Sequence, residues 1–278
     1  MRVAARLLPL AAALAFAVPG HAQTDEGCRN WSRYNNGDND RRSFCEVRES
    51  RMPANGSLTV DAGTNGGVSV RAYEGREVVV RSRVQTYART DEDARELARA
   101  VRVNASGSTI TASGPSTSGM RGRSWAVSYE IMVPARTSLT LDTHNGPIRV
   151  EGVAGTMRLR ATNGPLNLVD VSGDVNGRTT NGPVNVTLAG RAWRGGGLDV
   201  QTTNGPVSVR IPRGYGAHLR ASTVHGPIRV PSSMRRRGDD DDNRRPWSRP
   251  APVDMELNGG GPPIRAVTTN GPVTITEI

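Results

Sequence analysis

The sequence predicts an all-β fold: a single-stranded β-solenoid, β-helix-like, with one short N-terminal helix as its cap. Three observations predict it. Asn-Gly-Pro or His-Gly-Pro occurs six times in the C-terminal half. Apolar residues alternate with polar ones on both sides of each copy, the period-two pattern of a half-buried strand. Finally, only 4% of the 278 residues are aromatic, with two Phe, four Trp and five Tyr. A thick core is excluded, and Val, Ile, Leu and Ala must build a thin one.

The turns are Asn145-Gly146-Pro147, Asn163-Gly164-Pro165, Asn181-Gly182-Pro183, Asn204-Gly205-Pro206, His225-Gly226-Pro227 and Asn270-Gly271-Pro272. Six residues before the turns stand Leu139, Met157, Val175, Leu198, Leu219 and Ile264. Three after stand Ile148, Leu166, Val184, Val207, Ile228 and Val273. The step from four before the turn to three after is an odd number of residues. A straight strand would therefore put the two apolar sets on opposite faces. The chain must bend at the tripeptide so that both sets face one interior. Asn and Gly tolerate positive φ, and Pro belongs at the start of a strand. Asn-Gly is also a hairpin signal, and the alternative is an antiparallel β-meander. The common phase of the six copies favours stacked coils that bury a core no single repeat could bury.

Before the repeats, Leu58–Val60, Val68–Val70 and Glu77–Val84 read as strands. Thr90 followed by Asp91, Glu92 and Asp93 reads as a helix cap with acids in the first turn. Ala94, Leu97, Ala98 and Val101 give that helix one apolar stripe, suited to covering the open end of the stack. Thr109–Thr111 and Val127–Val133 read as further strands, with a Gly/Ser loop over 113–124. Residues 232–252 carry the tract Arg235–Arg245 and interrupt the repeat. Mixed charge and proline predict a disordered charged loop there. Its Arg237-Gly238-Asp239 is a match expected by chance.

Residues 1–22 read as a signal peptide: Arg2 and Arg6, then apolar Leu7–Val18, then small residues ending at Ala22. The predicted mature chain has no transmembrane segment. Residues 23–57 read as a polar N-terminal segment stapled by a disulfide between Cys28 and Cys45, and 58–278 as the repeat domain. A close cysteine pair in an exported chain favours a disulfide over a metal site, and closing such a loop is worth roughly 3 kcal/mol.

All 36 basic residues are Arg, and the formal net charge is +10. The chain carries no metalloprotease, nucleophile-elbow or phosphate-loop motif. His144, His218 and His225 read as ordinary turn and strand residues. No catalytic, cofactor-binding or metal-binding residue is expected, and no cofactor. Two outward rows emerge: Arg158, Asn176, Asp199, Arg220 and Arg265 in one, and Asp142, Arg160, Arg178, Gln201 and Ser222 in the other. Arg158, Arg160, Arg178 and Arg220 are the candidate anion-binding residues. Arg160 and Arg178 should stack on neighbouring coils, where an anion or a nearby acid such as Asp199 would relieve them. Dedicated nucleic-acid binding is disfavoured by the export signal and the sparse aromatics.

The T-N-G-P-V-x-V units, as in Thr180–Val186 and Thr203–Val209, resemble the bacterial β-strand-repeat family known as "putative adhesin". The resemblance covers roughly Leu58–Ile278. It implies a β-solenoid envelope protein and supplies no catalytic residues. The expected function is a non-enzymatic, exported cell-envelope protein of periplasm or cell surface. It would be adhesion-like, binding anionic envelope polysaccharide or another envelope protein. The alternatives are an envelope-stress or regulatory binding protein of the same fold, and a β-solenoid polysaccharide lyase or hydrolase.

Overall fold

The structure is a computed structural model and describes residue 28 and residues 41–117, 119, 122–234 and 251–278. The segment read as a signal peptide and the Arg235–Arg245 tract lie outside the described residues. Before the repeats come β1 (Arg42–Pro53), β2 (Ser57–Asp61), β3 (Val68–Tyr73), β4 (Glu77–Ala88), α1 (Asp91–Ala100), β5 (Arg102–Ser106), β6 (Thr109–Ser113) and β7 (Ser124–Pro134). The first three coils are β8 (Ser138–Asn145) with β9 (Ile148–Glu151), β10 (Ala154–Asn163) with β11 (Leu166–Val169), and β12 (Ser172–Asn181) with β13 (Val184–Thr187). The fourth and fifth are β14 (Gly197–Asn204) with β15 (Val207–Ile211), and β16 (Ala217–His225) with β17 (Ile228–Arg229). Then follow β18 (Val253–Leu257) and the last coil, β19 (Pro263–Asn270) with β20 (Val273–Glu277).

These strands form two ten-stranded mixed sheets. The first runs β1-β4-β7-β3-β9-β11-β13-β15-β20-β17, and the second β18-β16-β19-β14-β12-β10-β8-β2-β6-β5. Each coil gives one strand to each sheet and bends between them at Asn-Gly-Pro. Neighbouring coils pair in parallel and in register, Leu159 beside Leu141 and Gly177, and Leu166 beside Ile148 and Val184. The meander alternative is thereby overturned for the repeats. Antiparallel pairs occur toward the ends, at β1/β4, β4/β7, β5/β6 and β16/β18. Leu139, Leu141, Ile148 and Val150 are all buried, so both apolar sets face one interior as the phase requires.

The buried threonines explain the residue two places before five of the six turns, the second having Ala161 there. Thr143, Thr179, Thr202, Thr223 and Thr268 each donate a hydroxyl hydrogen bond of 2.6–2.9 Å to the carbonyl of a turn glycine in the neighbouring coil. A polar atom can then sit in a thin core without losing a partner. At the corner the asparagine side chains form a ladder. Asn145 donates to Asn65, Asn163 to Asn145, Asn181 to Asn163, Asn204 to Asn181 and Asn270 to Asn204, at 2.8–3.1 Å.

The helix forms where the cap predicts it. The Thr90 hydroxyl accepts from the Asp93 N–H at 3.1 Å. Ala94, Leu97 and Ala98 are buried as α1 packs against β1 and β4. Cys28 and Cys45 are disulfide-bonded, with Cα atoms 5.7 Å apart.

Three strands escaped the sequence reading. β1 lies in the segment read as polar, yet it pairs along its whole length with β4 and buries Val47 and Met52. β5 and β18 are short strands of five residues each that hydrogen-bond antiparallel to neighbours. Coil order also departs from chain order. The last coil sits between the fourth and the fifth, with β19 flanked by β14 and β16.

Candidate functional site

The outer face of the second sheet carries the two rows. Arg158 and Arg160 are on β10, Arg178 on β12 and Arg220 on β16. Parallel in-register pairing sets Arg160 beside Arg178 on one side and Asp142 on the other. Arg158 lies between Thr140 and Asn176. Adjacent strands are about 4.8 Å apart, so Arg160 and Arg178 stand as close as backbone spacing allows. All three guanidinium groups are exposed, and none has an ion-pair partner among the described residues.

Arg220 is separated from this cluster. It lies four strands along the sheet from β10 and pairs with Asp254 on β18 at 3.3 Å. Asp254 also accepts from the His218 ring. That bond, then Arg220 beside it, holds the carboxyl below its ordinary value. The expected relief of Arg160 and Arg178 by Asp199 does not occur. Because the last coil packs beside the fourth, Arg265 is in register with Asp199 and binds it at 2.8 Å. Gln201 and Asn176 donate to the same carboxylate at 3.0 and 3.4 Å. Asp199 is therefore engaged elsewhere, and the acid in register beside the positive pair is Asp142, which forms no ion pair with either arginine among the described residues.

Two open grooves flank these side chains. One, of about 400 Å³, runs past Arg158, Asp174, Asn176, Asp199, Arg220 and Arg265. The other, of about 390 Å³, is lined by Asp142, Arg160, Arg178 and Gln201 together with the half-buried Thr162 and the exposed Thr180 and Thr203. Sequence reasoning missed Asp254 because its strand went unread. The alternation of Val253, Met255 and Leu257 was the available signal.

The turn residues lie together on one edge of the stack. Their asparagines, exposed except for the half-buried Asn145, are spent on each other, and their glycines are packed against the next coil. They are thus structural corners in this arrangement. Among the described residues no group of three or more His, Cys, Asp or Glu could hold a metal ion. No helix among them is long and apolar enough to cross a membrane.

Residues 55–258 match the family described as Toastrack DUF4097. The chain belongs to that family. The match spans most of the chain and includes the first five turns. The Toastrack family is a domain of unknown function, so membership assigns the fold type and no reaction. Solved structures similar to this Toastrack chain include one described as a "putative cell adhesion protein" from Clostridium sporogenes. It is 10% identical, with a TM-score of 0.43, covering 84% of this chain and 100% of that one. Another is described as a "putative adhesin" from Bacteroides fragilis, 12% identical, with a TM-score of 0.39, covering 84% and 97%. A third, a "putative adhesin" from Parabacteroides distasonis, is 9% identical, with a TM-score of 0.34, covering 84% and 97%. No curated protein matches the chain.

Proposed function

We propose that this Toastrack chain is a non-enzymatic, exported cell-envelope protein whose second sheet binds anionic envelope polysaccharide. One observation carries the reading: Arg158, Arg160 and Arg178 gather on two adjacent strands beside open grooves, with Asp142 the one acid in register with them and no ion pair to any of the three among the described residues. Like charges on neighbouring strands destabilise a sheet, and a bound polyanion removes that cost. Arg is suited to carboxylate, sulfate and phosphate because its planar fork bonds two oxygens at once. Export is supported by the Arg2, Arg6 and Leu7–Val18 pattern and by the Cys28–Cys45 bond, since disulfides persist in oxidising compartments. In the same reading, α1 closes the end of the stack beyond the repeats.

The test compares two triple variants of equal charge on immobilised lipopolysaccharide and polygalacturonate. Arg158→Gln/Arg160→Gln/Arg178→Gln changes the second sheet. Arg71→Gln/Arg210→Gln/Arg229→Gln changes the first. The second-sheet variant should bind at least about tenfold more weakly at low salt, with a smaller salt dependence. Equal losses in both would show attraction to net charge and defeat the reading.

A further inference from the structure

The last coil does not extend the stack but fills a gap inside it. β19 is bonded to β14 on one side and β16 on the other, and β20 to β15 and β17. The chain completes its fifth coil at Arg229, departs, and returns to enter between that coil and the fourth. Ile264, Ala266, Val273 and Ile275 then complete the core between two coils that precede them in sequence.

Almost every bond that seats the last coil is one that all the coils share. Toward the fourth coil, the Asn270 amide donates to the Asn204 side chain at 2.8 Å and Thr268 to the Gly205 carbonyl at 2.8 Å. The Gly205 N–H donates to the Asn270 carbonyl at 2.9 Å. Toward the fifth, the Gly271 N–H donates to the His225 carbonyl at 2.8 Å, and Thr223 to the Gly271 carbonyl at 2.9 Å. The Arg265–Asp199 pair adds one contact that identifies this coil to the fourth. These bonds are made by the coil itself, so a coil arriving from another chain would make the same set. Fully extended, the connection over 230–252 would reach about 80 Å, enough to enter a neighbouring molecule.

We propose that the gap between the fourth and fifth coils is an interaction site, and that its partner is the C-terminal coil of a second copy of this chain, exchanged reciprocally. Reciprocal exchange keeps every coil-to-coil bond, which is why segment swapping is a low-cost route to dimers. A tethered coil sees its own gap at millimolar effective concentration, so the monomer prevails in dilute solution and exchange sets in at high local density.

Two full-length variants test this. In Gly271→Val the new Cβ would lie 2.2 Å from the Gly205 carbonyl oxygen, so the chain keeps its gap but cannot seat its own coil. In Gly226→Val the Cβ would lie 2.2 Å from the Gly271 carbonyl oxygen, which spoils the gap and frees an intact coil. Each alone should sediment as a monomer and the equimolar mixture as a one-to-one dimer. A mixture that stays monomeric while both chains unfold cooperatively overturns the proposal. It would mean that the fifth coil closes directly onto the fourth, bringing Arg220 to Asp199. Should either variant fail to fold, native-state hydrogen exchange of the unaltered protein decides. Amides of β19 and β20 should open as a unit before those of β8–β13, and exchange of all of them only in global unfolding overturns exchange of the coil.

Discussion

A methyl group at any turn glycine of the six repeats would meet a glycine carbonyl oxygen of the neighbouring coil at 2.0–2.3 Å. Close approach of backbone to backbone is therefore what demands glycine there, more than its φ of +145° to +159° at Gly182, Gly205, Gly226 and Gly271. The sequence reading expected glycine for its conformational freedom; stacking distance is invisible in a single repeat. Gly182→Ala should cost about 2 kcal/mol or more and Gly182→Val more still, read from urea melts, because backbone must move in both. An equal, small effect of the two would show that the coils part easily. At Ala161 the sequence breaks the threonine column, and the Gly146 carbonyl lacks the hydroxyl donor that Gly66, Gly164, Gly182, Gly205 and Gly271 have. Ala161→Thr should raise stability by about 1 kcal/mol. The Tyr129 hydroxyl is buried without a hydrogen-bond partner among the described residues. Tyr129→Phe should therefore leave the melting temperature unchanged or raise it.

Among the elements, the coils were the legible part, because a two-residue period read across a fixed turn leaves one way to bury both strands. β12 shows how far that logic reaches. Gly177 stands at an inward position where its neighbours in register are Leu159 and Val200. A Cβ there would touch Leu166 and Val200 at 3.4 Å, an ordinary packing distance. Gly177→Ala should stabilise the protein by about 0.5–1 kcal/mol in thermal melts, through chain entropy and a filled space. Helix α1 was legible from its cap, and Thr90→Ala should cost about 1 kcal/mol by the same measurement. β1 was not legible, since its twelve residues, Arg42–Pro53, alternate charges with a few half-buried side chains. What makes it a strand is the length of β4 beside it, a tertiary fact.

For the whole molecule, the two sheets and the shared core followed from the repeat, but the order of the coils did not. Identical turns carry no information about which coil neighbours which. The Arg265–Asp199 pair carries it, and it shows only in the folded chain, while His225, which interrupts the asparagine ladder, stands in the sequence without saying which coil lies beside it. The same limit applied to the candidate site: the rows were readable, while the partner of Asp199 depended on the order. Burial also bears on stability at high pH. It raises the Tyr215 hydroxyl to about 12 and pushes that of Tyr129 up as well. An unfolded tyrosine ionises near 10, so the folded state keeps protons that the unfolded state loses. Stability should fall as pH rises from about 10 toward 12, and Tyr129→Phe/Tyr215→Phe should flatten that fall in pH-dependent melts.

A stack of near-identical coils is a template that could in principle add subunits without limit, and β18 bears on why this one ends. It covers the outer edge of β16 in the opposite direction to the coils, with Asp254 and Glu256 flanking Met255. An incoming coil needs a parallel edge in register and finds a reversed, acidic one. In the first sheet the corresponding edge is β17, two residues long and followed by Val230 and Pro231. The molecule is thus a filament segment with a built-in terminator. Growth at this end is stopped by one strand that contradicts the repeat.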